Sequence, residues 1–322
     1  MRYALMLEPQ QGLSYEEQLA VARVVEAAGF EGLLRSDHYA SFPGASDNPT
    51  SDAWAVLAGL ARETSRIRLG ALVSPVTFRL PGPFAKLVTT VDAMSGGRVE
   101  VGLGAGWNEA EHAQLGIPFP PLAERYDRFE EALQIIHGLW TQPDGWTFEG
   151  RFWQVRGSMY RPPAAGDGRR HPHLIVGGDG KPRGLRAAAR FADEYNLSSA
   201  SPAHAAEVRE ALRAACVAEG RDPDTIVFSA MTGVLLGADE AEVGARLARL
   251  MVDLRRADET PEALAEWLAV RRARWLFGTP EQILEQVAAF RAAGVERLAL
   301  QDLLPRDLEM IAALGRLLAA DG

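Results

Sequence analysis

Hydrophobic and polar positions follow two patterns along this chain: short apolar runs and longer stretches with a helical period. The short runs are rich in Val, Leu and Ile, which favours buried strands. The stretches between them carry helix signals, such as the capping box of Ser14 and Glu17 and a regular apolar stripe over 124–140. The predicted strands are Tyr3–Glu8, Gly32–Ser36, Ile67–Ser74, Val99–Ala105, His173–Val176, Glu194–Leu197, Ile226–Leu235 and Arg297–Gln301.

Strands that each precede a helix indicate a parallel sheet in an α/β protein. Eight of them are the number that closes a (β/α)8 TIM barrel, which takes roughly 250 residues before insertions. The alternation breaks at 141–172, a segment rich in Gly, Pro and aromatic residues in which 146–155 predicts a hairpin. We predict one domain over 1–322, an α/β barrel with insertions after strands 4 and 7, and with 141–172 lying over the barrel mouth. A doubly wound open sheet is the alternative.

Composition and charge restrict the classes of function. The 322 residues carry a net charge of −9 without a basic stripe of interleaved aromatic residues, so nucleic acid is not an expected partner. The single cysteine, Cys216, argues against a disulfide framework and fits a reducing compartment. No apolar run approaches the ~20 residues needed to cross a bilayer, and the first ten residues lack the apolar core of a signal peptide. We therefore expect a cytoplasmic protein that does not bind membranes.

Glycines and polar residues collect where the predicted strands end. In a barrel these positions form one rim, and active sites lie there. The rim residues are Glu8, Asp37, His38, Ser74, Gly104 to Asn108, Gly177 to Gly180, Asn196, Ser198, Ser199, Gln301 and Asp302. The predicted rim is polar but has few charges, which suits a large, mostly uncharged ligand with an anionic tail.

The loop from Gly177 to Gly180 is the most specific local signal. It leads into a helix with Pro182 in its first turn, and such loops leave backbone N–H groups free to bind an anion. Lys181 and Arg183 add positive charge nearby. We predict that this loop binds a phosphate group, the alternative being an ordinary turn with exposed basic residues.

His38 is the candidate catalytic residue. It lies beside Asp37 at a predicted strand end, and an imidazole there can exchange a proton near neutral pH. A structural role is the alternative. No metal site is predicted, because zinc-protease and nucleophile-elbow motifs are absent and His171 and His173 precede a strand, on the opposite rim.

Several segments, taken in order, resemble the luciferase-like monooxygenase superfamily. They span nearly the whole chain, so the resemblance is specific for the superfamily and much less so for a substrate. The segments are Ser36–Tyr39, Ser65–Gly70, Asp92–Arg98, Gly102–Glu109, Glu124–Leu133, the loop from Gly177, Ala192–Asn196 and Phe277–Glu281.

This resemblance implies a barrel with a flavin-type ring in its mouth, bound either as FMN with molecular oxygen or as the deazaflavin coenzyme F420. The sequence is most similar to the F420-dependent oxidoreductase group. That group's strand-end histidine falls on His38, its ring-contacting asparagine on Asn108 and its phosphate-holding glycines on Gly177 and Gly178.

The resemblance also implies further cofactor-binding positions. A non-proline cis peptide typical of the group is expected between Val73 and Ser74, where it would present a bulge against the ring. Asp37 is expected to support the site, and Asp179 and Gly180 to complete the phosphate loop.

We therefore expect an oxidoreductase that transfers a hydride between coenzyme F420 and a small organic substrate, with His38 exchanging the proton. The alternatives are an FMN-dependent monooxygenase supplied by a partner reductase and a non-catalytic flavin-binding protein. The resemblance suggests a homodimer. Some F420-dependent sugar dehydrogenases have a glutamate where this chain has Ala105, which argues against oxidation of a sugar alcohol.

Overall fold

Eight parallel strands form a closed barrel. The computed structural model describes residues 1–42, 47–161 and 171–321. Its strands are β1 Arg2–Leu7, β2 Gly32–Arg35, β3 Arg68–Pro75, β4 Val99–Gly104, β5 Trp146–Glu149, β6 Gln154–Ser158, β7 His173–Gly178, β8 Glu194–Leu197, β9 Val227–Leu236, β10 Leu276–Gly278 and β11 Arg297–Asp302. Hydrogen-bonded neighbours follow the order β9-β11-β1-β2-β3-β4-β7-β8, and β8 pairs with β9 to close the ring. The predicted TIM barrel is confirmed and the open sheet is excluded.

Helices alternate with these strands and cover the outside of the barrel. They are α1 Tyr15–Ala27, α2 Ala53–Glu63, α3 Pro81–Ser95, α4 Glu109–Gln114, α5 Leu122–Thr141, α6 Pro182–Phe191, α7 Pro202–Ala218, α8 Glu240–Asp253, α9 Pro261–Arg272, α10 Pro280–Ala292 and α11 Leu308–Ala320. The predicted capping box of Ser14 and Glu17 is confirmed at the start of α1. The apolar stripe of α5 is buried, as its period predicts. None of the helices in the described ranges is long and apolar enough to span a membrane.

Two short elements were not expected from the sequence. The first is α4, whose six residues begin after Asn108, the side chain of which accepts a hydrogen bond from the Glu111 backbone N–H. The second is β10, which pairs with the end of β9 outside the ring of eight. Both are too short for a hydrophobic period to reveal them.

The predicted hairpin is present as β5 and β6. It packs against the outer side of α5, where the Glu131 carboxylate accepts hydrogen bonds from three successive backbone N–H groups of residues 151–153. Tyr160 continues this contact to α3, with its hydroxyl donating to the Ala85 carbonyl oxygen at 2.9 Å. Residues 162–170 lie outside the described residues, so the expectation that 141–172 covers the barrel mouth stays a prediction.

Alternation along the strands separates an inner from an outer layer. In β1, Ala4 and Met6 belong to a small apolar cluster inside the barrel, whereas Leu5 and Leu7 pack under the helices. Leu34 of β2 and Ile175 of β7 also belong to the inner cluster. Continuing this alternation past the strand ends places Glu8 and His38 on the inner side, where the site lies.

A buried ion network fills the amino-terminal end of the barrel. Arg297 Nη1 donates to Glu194 at 3.0 Å, and its other nitrogens form ion pairs with Glu31 at 3.0 Å and Glu100 at 2.7 Å without the alignment of a hydrogen bond. His173 Nε2 lies 3.0 Å from the same Glu194 carboxylate. Burial alone would raise the pKa of Glu194, but the charge of Arg297 and the hydrogen bond from His173 lower it overall. The network closes the end of the barrel that lies opposite the site.

Candidate active site

A bulge at the end of β3 shapes the floor of the site. The register between β3 and β4 shifts between Ala71 and Ser74, and the cis peptide bond lies between Leu72 and Val73. The predicted position, Val73–Ser74, is therefore wrong by one bond. Ser74 already belongs to the outer layer, because its hydroxyl donates to Asp37 at 2.6 Å and accepts from the indole of Trp54 at 2.9 Å.

Three glycines make room for the Val73 side chain. A Cβ added at Gly177 would lie 2.7 Å from Val73 Cγ1, and one at Gly104 would lie 2.7 Å from Val73 Cγ2. A Cβ at Gly102 would lie 2.9 Å from Val73 Cγ1. Real side chains do not approach so closely, and valine is stiff about χ1. The repeated glycines at the ends of β4 and β7 therefore admit the bulge, a reason that their spacing in the sequence does not reveal.

A cavity of about 1090 Å³ opens at the carboxyl ends of the strands above this bulge. Of the predicted site residues, His38, Val73, Gly177, Gly178 and Asp179 line it. The remaining four, Asp37, Ser74, Asn108 and Gly180, lie outside its lining. The surface of the cavity is mostly apolar, and a smaller number of polar groups line it, which is typical of a cofactor site.

His38 forms a pair with Glu111 at the cavity wall. Its Nδ1 lies 2.9 Å from Glu111 Oε1, and the Tyr39 backbone N–H donates to the other carboxylate oxygen at 3.1 Å. The Glu111 side chain is 1% exposed and that of His38 is 13% exposed. With Nδ1–H donating to the carboxylate, Nε2 is the ring nitrogen that has no protein partner among the described residues. A proton can therefore enter or leave His38 on its Nε2.

Glu111 was missed by the sequence analysis. It lies three residues after Asn108 in a helix-capping spacing, so the start of α4 could have been read from N-x-x-E. Its contact with His38 joins positions 73 residues apart, which no local pattern predicts.

Aromatic rings surround the histidine at the mouth of the cavity. The His38 and Phe42 rings meet edge to face at 4.5 Å, and Trp107 makes similar contacts with His38 at 5.6 Å and with Phe42 at 5.2 Å. Trp107 is 64% exposed. These rings form an apolar wall that a flat ring system can contact.

Asp37 faces outward, as expected for the neighbour of an inward residue in an extended chain. Its carboxylate binds the Arg79 guanidinium at 2.5 Å, and Arg79 also binds Asp52 at 2.6 Å. Burial opposes the charge of Arg79, but the adjacent Asp37 raises the pKa of that guanidinium overall. Asp37 therefore fixes the segment that carries His38 from behind, without contacting the cavity.

Positive charges lie on the side of the cavity formed by α5 and α6. Arg125, Lys181 and Arg183 line it there. Arg183 is paired with Asp127 at 2.8 Å and Glu130 at 2.9 Å. Arg125, in contrast, donates to the Pro120 carbonyl oxygen, and its buried Nε has no hydrogen-bond partner among the described residues. An orphaned guanidinium nitrogen beside Lys181 suits an anionic ligand.

The glycine loop only partly matches the predicted phosphate cradle. Gly177, Gly178 and Asp179 face the cavity, but the Gly180 N–H donates to the Tyr195 hydroxyl at 2.8 Å. Burial raises the pKa of Tyr195, which keeps its hydroxyl neutral in this contact. Gly180 therefore holds the loop in shape and is not free to bind an anion.

The fold and the cavity define a class of protein: TIM-barrel enzymes with a large ligand cavity at the carboxyl ends of their strands. In the described part of the chain, no group of three metal-ligating side chains is close enough together to bind a metal ion. Within this class, the sequence profile of the luciferase-like monooxygenase family matches residues 1–297. The chain belongs to this family.

Relatives and solved structures support this assignment. The chain is 30% identical over 273 residues to pyrimidine monooxygenase RutA of Bradyrhizobium sp., covering 82% of this chain and 67% of RutA. It is 26% identical over 310 residues to an FMNH(2)-dependent dimethylsulfone monooxygenase of Pseudomonas putida, covering 88% and 81%. An F420-dependent secondary alcohol dehydrogenase in complex with an F420–acetone adduct has the same fold, with a TM-score of 0.80, 18% identity and 98% coverage of both chains.

Proposed function

We propose that this protein transfers a hydride between coenzyme F420 and a small organic substrate, with His38 as the proton donor or acceptor. The His38–Glu111 pair at the wall of an apolar cavity is the observation that carries the proposal. A non-catalytic flavin-binding protein has no need of a buried carboxylate that orients a histidine toward its ligand.

The described residues fit such a cofactor. A cavity of about 1090 Å³ exceeds the usual upper size of small-ligand pockets, as a tricyclic ring with a long tail requires. Arg125 and Lys181 are available for the acidic tail, and the Val73 bulge and the Trp107 ring offer apolar surfaces to the ring system. Bound F420 would supply or accept the hydride at its reactive carbon.

The side chains of this chain supply the other half of the reaction. When a substrate carbon gains a hydride, the neighbouring atom gains charge and takes a proton from His38 Nε2; the reverse reaction returns it. Glu111 orients the imidazole through Nδ1. Phe42 and Trp107 place apolar surface beside this region.

Ala105 restricts the reactions that the site can support. It lines the cavity where some F420-dependent sugar dehydrogenases have a glutamate, so no second acid is available at that position. Reduction of an activated double bond needs only the one proton donor that His38 provides. We therefore favour this direction over oxidation of a sugar alcohol.

An FMN-dependent monooxygenase is the second candidate. Similarity to RutA and to the FMNH(2)-dependent dimethylsulfone monooxygenase favours it. In that case reduced FMN would come from a separate reductase, and the His38–Glu111 pair would donate and accept protons beside the ring. The homodimer expected from the resemblance remains a proposal for either candidate, which light scattering of the purified protein would test.

Titration of the purified protein with F420 and with FMN separates the two candidates. We expect F420 to bind with a micromolar or lower dissociation constant and FMN at least tenfold more weakly, measured by fluorescence of the cofactor. Tight FMN binding without a response to F420 would replace the first proposal with the second.

A further inference from the structure

A second cavity of about 440 Å³ adjoins the first at the carboxyl ends of β1 and β11. The two cavities share Glu8, Phe42 and Gln301 in their linings. A molecule that enters the second cavity therefore reaches the wall near His38 from the side opposite the glycine loop.

Two tryptophans form one face of this second cavity, whose lining is otherwise largely polar. Trp267 and Trp275 meet edge to face at 5.7 Å and both line it. Gly233 of β9 gives the Trp275 indole its place, because a Cβ there would lie 2.3 Å from the ring. Leu254 and Leu303 extend the apolar surface. Such walls suit a flat or aliphatic body.

Three arginines line the same cavity: Arg256, Arg271 and Arg274. Arg256 is paired with Glu259 at 2.7 Å, yet its buried Nε has no hydrogen-bond partner in the described part of the chain. No carboxylate of the described residues lies within ion-pair distance of Arg271 or Arg274, whereas most other arginines around the barrel are paired. The arginine side of the cavity therefore carries positive charge that no carboxylate of the described residues pairs.

The position of Arg271 strengthens this conclusion. Its guanidinium stacks on the Trp267 ring with 4.3 Å between the guanidinium carbon and the ring centroid. Burial, together with the positive charges of Arg256 and Arg274, lowers the pKa of Arg271. An anion bound there would relieve this repulsion, and a planar guanidinium matches a carboxylate in a bidentate geometry.

The shared wall has the opposite charge. Glu8 accepts hydrogen bonds from the side-chain amides of Gln10 at 2.6 Å and Gln301 at 2.5 Å. A carboxylate on a ligand would be repelled from this wall and drawn to the arginines. The charge distribution thus fixes one orientation, with the acidic group outward and the body of the molecule toward His38.

We propose that the second cavity binds the acidic group of the substrate, which makes the substrate a small organic acid with a flat or aliphatic apolar body. This inference rests on the proposed function, since it places the reactive carbon of that acid at the shared wall beside the cofactor cavity. Arg271 and Arg274 bind the acidic group, and Trp267 and Trp275 contact the body.

Binding of acid and amide pairs tests the inference on the full-length protein. Isothermal titration with phenylacetate, indole-3-acetate and octanoate, each against its neutral amide, should show at least one acid binding roughly ten- to a hundredfold more tightly than its amide. Arg271→Gln and Arg274→Gln should each remove most of this preference. Arg272→Gln, one position along the same helix but stacked on Phe277 outside the cavity, should retain it.

The outcomes separate this inference from the proposed function. Equal or absent binding of acid and amide in all three pairs overturns it, as does an equal loss in Arg272→Gln. A drop in F420 affinity in Arg271→Gln, without a change in the acid preference, also overturns it, because the arginines would then bind the acidic tail of the cofactor. An acid preference that persists in a protein binding neither F420 nor FMN supports the anion site and refutes the proposed redox function.

Discussion

Substitution of Gly177 by alanine tests the packing of the Val73 bulge. The added Cβ would lie 2.7 Å from the Val73 Cγ1, about 0.7 Å inside the 3.4 Å at which ordinary contact begins. Neither side can give way easily, since valine has one strongly preferred rotamer and Gly177 lies in the barrel sheet beside Asn196. Overpacking of this kind costs about 1–3 kcal/mol of unfolding free energy.

The double variant makes the test specific. Val73→Ala alone should cost about 1–2 kcal/mol through lost burial, but it also empties the space that the new Cβ needs. Gly177→Ala should therefore cost almost nothing in the Val73→Ala background, a coupling of 1–3 kcal/mol between the two positions. For a chain of this length, each kcal/mol corresponds to roughly 1.5 °C in the unfolding midpoint.

Thermal unfolding of the four proteins, with urea titration as a second measurement, gives these differences. Gly184→Ala is the matched control, because a Cβ at this position in α6 meets nothing within 4 Å and should leave stability equal or slightly higher. If Gly177→Ala costs the same with and without Val73, the glycine has another role and the steric account of the repeated glycines is refuted.

Three further predictions concern the catalytic residue, the loop and the ion network. His38→Ala should lower turnover about a hundredfold or more with cofactor affinity little changed, and His38→Asn should be nearly as slow. If steady-state assays show both variants turning over at the rate of the unsubstituted protein, His38 only lines the cavity and does not exchange the proton. Gly178→Val should weaken cofactor binding at least tenfold in a fluorescence titration, because it adds a β-branched side chain where the anion must approach; unchanged affinity in a folded variant would contradict this. Burial would lower the pKa of His173, but the Glu194 carboxylate raises it overall, so the stability from this pair is present below pH 6.5 and lost as pH rises through the raised value. Because the pKa of Glu194 is lowered, its contribution is present above pH 4.5 and lost as pH falls toward the folded-state value; midpoints measured across pH should show both losses, and His173→Asn should remove the alkaline one.

Local sequence patterns were sufficient to predict the barrel. Each strand is a short apolar run between helix signals, and the number of such units selects the closed sheet. Alternation along the extended chain also accounts for the opposite directions of Asp37 and His38, which contact Arg79 and Glu111 respectively. These features depend on neighbours in sequence, so a single sequence reveals them.

Features that depend on distant pairs could not be predicted. Glu111 reaches His38 across 73 positions, and Arg297 reaches Glu194 across 103. The cis bond was expected one position too late because its place is set by how β3 registers against β4, which the chain does not encode locally. The arginines of the second cavity were missed for the same reason, since α9 shows only its helix signals in sequence.

The two ends of the barrel differ in how fully their charged side chains are paired. At the amino-terminal end, Arg297 is matched by three glutamates and His173 by one of them, so each charge loses water but gains partners. At the carboxyl end, Arg125 Nε lacks a hydrogen-bond partner, and Arg271 and Arg274 form no ion pair with a carboxylate of the described residues. A bound anion would supply these cations with partners that the described side chains do not provide. Paired charges thus stabilise the amino-terminal end of the barrel. Cations without ion-pair partners line the cavities at the carboxyl end, where we expect ligands to bind.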